Sequence, residues 1–263
     1  MRLFLPISDL VSGPKSFAES FLISNEKYKY FEIVEDEPDV VLGIAFFPRK
    51  DNLLRPGVRL VHRLDGVSGG GPGSKAVMDR CLFLMKRADC VVYQSEFCKQ
   101  LWDDYYIPDK WAIINNGTNI EQFNPRSRKK RTDKIRLLSV NYSVFERKKL
   151  EVVKFLSEII PDGFVYRVVG NMMEWENKVS FDFSTANNVE YYPLQSKERL
   201  KELFDDSDFL VCPAIEEPCS NLVIEALCSG LPVIYNANSG GTKELVGEAG
   251  AEFDFRRCYD FFD

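Results

Sequence analysis

Two glutamates separated by seven residues, Glu217 and Glu225, stand in the stretch of this sequence richest in chemistry, residues 213–227. An apolar run ends at Cys212, Glu217 follows in a loop, and Ser220 is placed to cap a helix that carries Glu225. The start of a helix presents N–H groups with no intrahelical partner and the positive end of the peptide dipole, a natural seat for a diphosphate. Carboxylates beside a phosphate would repel it, so both glutamates must point elsewhere. A carboxylate can accept hydrogen bonds from two neighbouring hydroxyls, which suits the diol of a ribose or a hexose. The plainer alternative is that Glu225 is a polar residue in the first turns of an ordinary helix, and this stretch alone leaves both readings open.

A second group lies at 61–67, where an apolar run ends with His62, Arg63 and Asp65. His62 is the single histidine of the chain, and a lone histidine is more often a satisfied structural group than a catalytic one. After the first apolar run, Gly13 in the segment 11–14 permits close approach of backbone to a ligand. Three patterns are set aside. Residues 68–76 resemble a phosphate-binding loop, but Ser74 replaces the final glycine and Ala76 the hydroxyl residue. Asp206 and Asp208 imitate a metal-binding Asp-x-Asp, yet they fall between a helical pattern and an apolar strand as structural punctuation. No Gly-x-Gly-x-x-Gly follows the first strand, which argues against a nicotinamide enzyme.

The elements that must position these residues alternate along the chain. Apolar runs at 3–7, 40–46, 58–64, 90–94 and 112–115 are expected strands, with helical periodicity at 14–24, 74–88 and 95–102, the last capped by Ser95. Strands resume at 135–140, 164–169, 189–192, 209–212 and 233–235, with helices at 148–160, 197–205, 221–229 and 242–246. Continuous apolar strands alternating with helices imply parallel sheets covered on both faces. A polar break at 124–134 predicts two α/β domains, 1–124 and 125–263, with the cleft between them as the default ligand site.

The segment from Glu217 to Glu225, continued by a small residue, Gly230, Pro232, Val233 and Ile234, resembles the E-x7-E signature of the group 1 (family 4) retaining glycosyltransferases of GT-B fold. Residues 240–246, 189–194 and 203–208 resemble neighbouring segments of that family, as do 88–95 and 115–119 with Phe123 and Pro125. The resemblance covers 58–254 and recurs in order in both halves, far more specific than any one motif. It implies two Rossmann-like domains facing a central cleft, acceptor recognition in the first and donor binding in the second. It also implies that Glu217 contacts the donor sugar and acts in catalysis and that Glu225 holds the ribose. By the same likeness Asn221 and Leu222, behind the Ser220 cap, give backbone N–H groups to the phosphates, backbone near Leu194 reads the base, and the loop at Gly13 lies beneath the phosphates. Lys148 fits the family lysine and Arg147 assists, while Asn141 stands where the family often has arginine. Basic residues at a helix start oppose its dipole, an arrangement that makes better sense if an anion binds there. The family commonly places a histidine near this strand end, close to the transferred sugar, which makes His62 a catalytic candidate, and Asp65 is the competing one because Arg-Leu-Asp-Gly recurs in some relatives.

The expected co-substrate is therefore a nucleotide sugar, UDP- or GDP-linked first, with no metal and a carbohydrate-containing acceptor. The alternative is a non-catalytic sugar-nucleotide-binding subunit of the same fold; a sugar-nucleotide epimerase fits the E-x7-E block less well. A net charge of −6 argues against broad binding to nucleic acid; the basic run 126–131 reads as a solvated linker. Seven cysteines without a C-x-x-C pair, most inside apolar segments, read as core residues of a reducing compartment, not as disulfides or a zinc site. No stretch approaches a membrane span, which leaves peripheral membrane contact open, and a cytoplasmic protein is expected. Relatives continue with helices that cross back onto the first domain; with the sequence stopping at Asp263, that crossing helix is expected to be missing. The five aromatic rings of residues 253–262 are expected to pack on the second domain or on a neighbouring subunit.

Overall fold

Among the described residues, twelve strands form two six-stranded sheets in which every neighbouring pair is parallel. The computed structural model describes residues 1–7, 12–48, 51–66, 74–125, 134–141, 148–172, 181–183 and 186–258. Two compact units result, Met1–Gly117 and Thr118–Asp263. Among the described residues no helix is long and apolar enough to cross a membrane.

The first unit runs β1 (Arg2–Phe4), α1 (Ser12–Tyr28), β2 (Glu32–Ile33), β3 (Val40–Ile44), β4 (Arg59–Leu64), α2 (Ser74–Arg87), β5 (Cys90–Tyr93), α3 (Glu96–Asp103) and β6 (Trp111–Ile113). Its sheet order is β2-β1-β3-β4-β5-β6. Alternation along β4 sends Leu60 and Leu64 into clusters with Leu84 and Met85 of α2. On the opposite side Ile44 and Leu5 pack with Ala18 and Phe21 of α1. Ser95 caps α3 by accepting a bond from the Cys98 N–H at 2.9 Å.

The second unit runs β7 (Ile135–Asn141), α4 (Leu150–Ile159), β8 (Phe164–Gly170), β9 (Val189–Tyr192), α5 (Lys197–Asp205), β10 (Phe209–Cys212), α6 (Asn221–Cys228), β11 (Val233–Asn236), α7 (Thr242–Val246) and β12 (Gly250–Phe253). Its order is β12-β11-β10-β7-β8-β9, the doubly wound arrangement whose direction of winding reverses between β7 and β10. Neighbouring residues of one strand serve opposite faces. Leu138 and Leu210 are buried with α5 and α6, whereas Val211 packs with Val152 of α4 and with Phe255. Phe255 thereby secures the described part of the aromatic C-terminal segment to this unit; residues 259–263 lie outside the described residues.

The reversal leaves a crevice because β7 and β10 pair only at Leu137–Phe209 and Leu138–Leu210, while β7 and β8 pair along seven residues. Where the backbone ladder stops, a side chain replaces it: buried Ser139 donates to the Val211 carbonyl at 2.8 Å and lies 2.8 Å from the Tyr166 hydroxyl. Burial pushes the Tyr166 phenol well above its usual range, so it stays a neutral donor. At the same edge Gly170 adopts φ +106, and a Cβ there would come within 1.8 Å of the Asn141 carbonyl oxygen, so only glycine lets β8 close on β7.

Ser139→Ala should strand both the Val211 carbonyl and the Tyr166 hydroxyl in the core. Denaturant unfolding should show a loss of about 1–3 kcal/mol; an unchanged midpoint would mean that the sheet's centre does not rely on this bridge.

Candidate functional site

The crevice between β7 and β10 is where a doubly wound sheet binds its ligand. Lys148, seven positions beyond the last residue of β7, reaches across it to hydrogen-bond the Glu217 carboxylate, which follows β10. The Glu217 residue is 6% exposed, and an ionised carboxylate at that depth requires a cation or strong donors. Cys212 ends β10 nearby; burial chiefly pushes its thiol up to about 11, opposed by Lys148 and reinforced by Glu217.

Glu217 is held by two loops joined edge to edge. Its N–H donates to the Ser239 carbonyl at 3.1 Å, and its own carbonyl accepts from the Gly241 N–H at 2.8 Å. Glu216 bonds Asn238 at 3.0 Å, and the Asn236 amide donates to the Pro213 carbonyl at 2.8 Å. The loops after β10 and after β11 therefore form one short parallel ladder around the glutamate.

Helix α6 begins directly beyond this loop. Ser220 accepts from the Val223 N–H at 3.4 Å, and the first intrahelical bond runs from Ile224 to the Ser220 carbonyl. The N–H groups of Asn221 and Leu222 thus precede the helix's own bonding and its dipole begins at their position. One turn on, Glu225 is 8% exposed and pairs with Lys197, the first residue of α5, at 3.4 Å. Burial raises the Glu225 pKa and Lys197 opposes that rise. Leu194 is 58% exposed in the turn between β9 and α5.

The remaining expected positions divide sharply. Asn141 is buried, its amide committed to the Asn171 carbonyl at 2.8 Å. Gly13 is the second residue of α1. Arg147, the basic run 126–131 and most of the glycine-rich segment 68–76 lie outside the described residues. Asp206 pairs with Arg167 at 2.7 Å, and Asp208 accepts the Arg136 N–H at 2.8 Å. Both tie α5 and β10 to neighbouring strands.

In the first unit the end of β4 carries a polar network that sequence reasoning saw only in part. Arg63, 3% exposed, lies 4.0 Å from the centroid of the Phe17 ring and donates to Asp65 at 2.7 Å. It also hydrogen-bonds Asn116, and Gln94 hydrogen-bonds Asp65 and accepts from Asn116 at 3.1 Å. Trp102 and Cys98 donate to the Asp65 carbonyl. Asp65 stays partly open, its side chain 28% exposed. Gln94 and Asn116 close the ends of strands β5 and β6; only that shared strand-end position hinted at their partnership. His62 points to the other face, fully buried near Arg80 of α2, with Nε2 donating to the Ala45 carbonyl at 2.6 Å. Its Nδ1 has no hydrogen-bond partner among the described residues. Burial, aided by Arg80 and opposed by the bond to Ala45, lowers its pKa to about 4.

Three comparisons bear on this geometry. The family model described as "Glycosyl transferases group 1" matches residues 121–255. An uncharacterized glycosyltransferase of Methanocaldococcus jannaschii is 22% identical over 152 residues, 52% of this chain and 39% of the relative, so the match spans about two fifths of that protein. Sucrose-phosphate synthase of Thermosynechococcus elongatus superposes with TM-score 0.68 at 18% identity, covering 94% of this chain and 66% of the other. Anabaena HepE in complex with UDP-glucose gives TM-score 0.66 at 15% identity, covering 96% and 85%. The two parallel α/β units are those of GT-B glycosyltransferases.

The buried histidine makes stability depend on pH. Its folded pKa lies below the ordinary 6.5, so the unfolded chain binds the extra proton; the contribution is complete above pH 6.5 and is lost as pH falls toward 4. Comparing denaturant midpoints of wild type and His62→Gln between pH 7 and 5 should show wild type losing up to about 1.4 kcal/mol per pH unit relative to the variant. A constant difference across that range would show that the imidazole is not held neutral.

Proposed function

The chain belongs to the group 1 glycosyl transferases, and on that premise we propose that it moves a sugar from a nucleotide-sugar donor to a glycan, lipid-linked or protein-linked acceptor, with retention of anomeric configuration and without a divalent metal. The observation that carries this reading is the Lys148–Glu217 contact across the crevice of the second unit, beside the Ser220-capped start of α6 and the buried Glu225.

The donor diphosphate lies at the start of α6, on the N–H groups of Asn221 and Leu222. Glu225 accepts the ribose hydroxyls and backbone near Leu194 meets the base. Glu217 takes the hydroxyls of the sugar. As the bond between the anomeric carbon and the diphosphate breaks, negative charge grows on the leaving oxygen, and Lys148, Arg147 and the α6 dipole stabilise it in place of a metal. Lys148 pairs with Glu217, and its charge is the one this reading brings to the diphosphate. Asp65 is the acceptor-side group, pinned by Arg63 and Gln94, and His62 acts on turnover through the packing behind that strand end. UDP and GDP are the donor nucleotides to consider, and the neighbour holding UDP-glucose puts UDP first.

Transfer to an acceptor, or slow hydrolysis of the donor, by the purified protein tests the proposal; nucleotide binding without either would favour a non-catalytic binding subunit. Glu225→Ala should weaken donor and free nucleoside diphosphate alike by about 1.5–3 kcal/mol, the scale of a lost charged hydrogen bond. Calorimetry showing unchanged affinity would remove Glu225 from the site. Lys148→Ala should lower kcat more than it raises the donor KM, and a variant changed in KM alone would mean that the lysine binds ground and transition states equally.

A further inference from the structure

Lys197 occupies a position that helix formation by itself disfavours. It is the first residue of α5, directly after the Ser196 cap, where the positive end of the dipole repels a cation. What draws it there is Glu225, 3.4 Å away on α6. The two helices are fixed relative to each other, since Leu200, Leu203 and Phe204 of α5 share one core with Val223 and Ala226 of α6. The ion pair therefore spans two rigid bodies and sets where the carboxylate points. Its two ends differ in access: the Glu225 side chain is 10% exposed, the lysine side chain 52%.

We propose that Lys197 is a positioning residue for nucleotide binding, steering the Glu225 carboxylate from its solvent side so that it meets the ribose hydroxyls; this rests on the reading of Glu225 as the ribose acceptor. The charge balance supports the geometry. Burial favours the protonated form of Glu225, and Lys197 is the charged group set against it; Cys228, one turn further along α6, is a thiol whose pKa burial and Glu225 both raise. A protonated carboxyl has lost part of its capacity to accept two hydroxyl hydrogens. Without the lysine, Glu225 protonates at a higher pH and its carboxylate is free to change rotamer. Because Lys197 lies near the surface, its replacement spares the core.

Calorimetric titration of wild type, Lys197→Ala, Lys197→Arg and Glu225→Ala with UDP and with GDP, from pH 5.5 to 8, tests this. For the nucleotide that wild type binds more tightly, affinity should fall as pH drops through the raised range of Glu225. Lys197→Ala should bind on the order of tenfold more weakly at pH 7 and begin its decline at a higher pH, and Lys197→Arg should restore both. Equal affinity and an equal pH profile in Lys197→Ala would overturn the proposal. So would a uniform loss with an unmoved midpoint, which would make Lys197 a direct ligand contact. A different pattern, Glu225→Ala binding like wild type or wild type binding neither nucleotide, would sink the ribose reading itself.

Discussion

An ionised carboxylate cannot lie at the depth of Glu217 without a partner, and that constraint organises the second unit. Leaving such a charge uncompensated costs several kcal/mol, so the fold must deliver a cation to it. Lys148 arrives from the β7 side of the crevice and Glu217 from the β10 side. The crevice is there because the backbone pairing of those two strands ends at Leu138 and Leu210, with Ser139 closing the sheet beneath. Strand order, ladder length and one ion pair thus belong to a single arrangement, and the charges concentrated there are the ones a phosphate-bearing ligand would redistribute.

The first unit meets a similar demand by another route. Arg63 is as deeply buried as its neighbours, and its charge is shared among Asp65, Asn116 and the face of Phe17. One side chain thereby joins α1, β4 and the end of β6. Adjacent residues of β4 take opposite assignments because the strand alternates: Arg63 serves the α1 side and His62 the α2 side. The histidine is fully buried, which lowers its pKa, and the carboxylate beside the arginine is partly exposed.

Much of this architecture was legible in the sequence. Apolar runs such as 164–169 and 209–212 bury both faces and read directly as parallel strands, and Ser95 and Ser220 mark helix starts that the structure caps through their hydroxyls. The edge strands β2 and β12 escaped because they are two and four residues long and largely exposed, leaving almost no apolar pattern. Glu217 and Lys148 were named from their surroundings, yet their direct contact joins residues 69 positions apart and only the sheet order reveals it. Lys197 left no local signal for the same reason, since it is defined by a partner on another element. Asn141 stands where the resembled family often has arginine, and its amide is committed to the Asn171 carbonyl.

The paired loops around Glu217 have an implication for how such a protein can change. Residues 216–217 and 238–241 hold each other by backbone hydrogen bonds, so the glutamate's aim is written in two places. A substitution in the distal loop, one that never touches a ligand, can turn the carboxylate by shifting its template. An inserted residue in either loop, by contrast, would slip the ladder and require a matching insertion in the other. Divergence around Glu217 is therefore easier by exchange of side chains than by change of loop length.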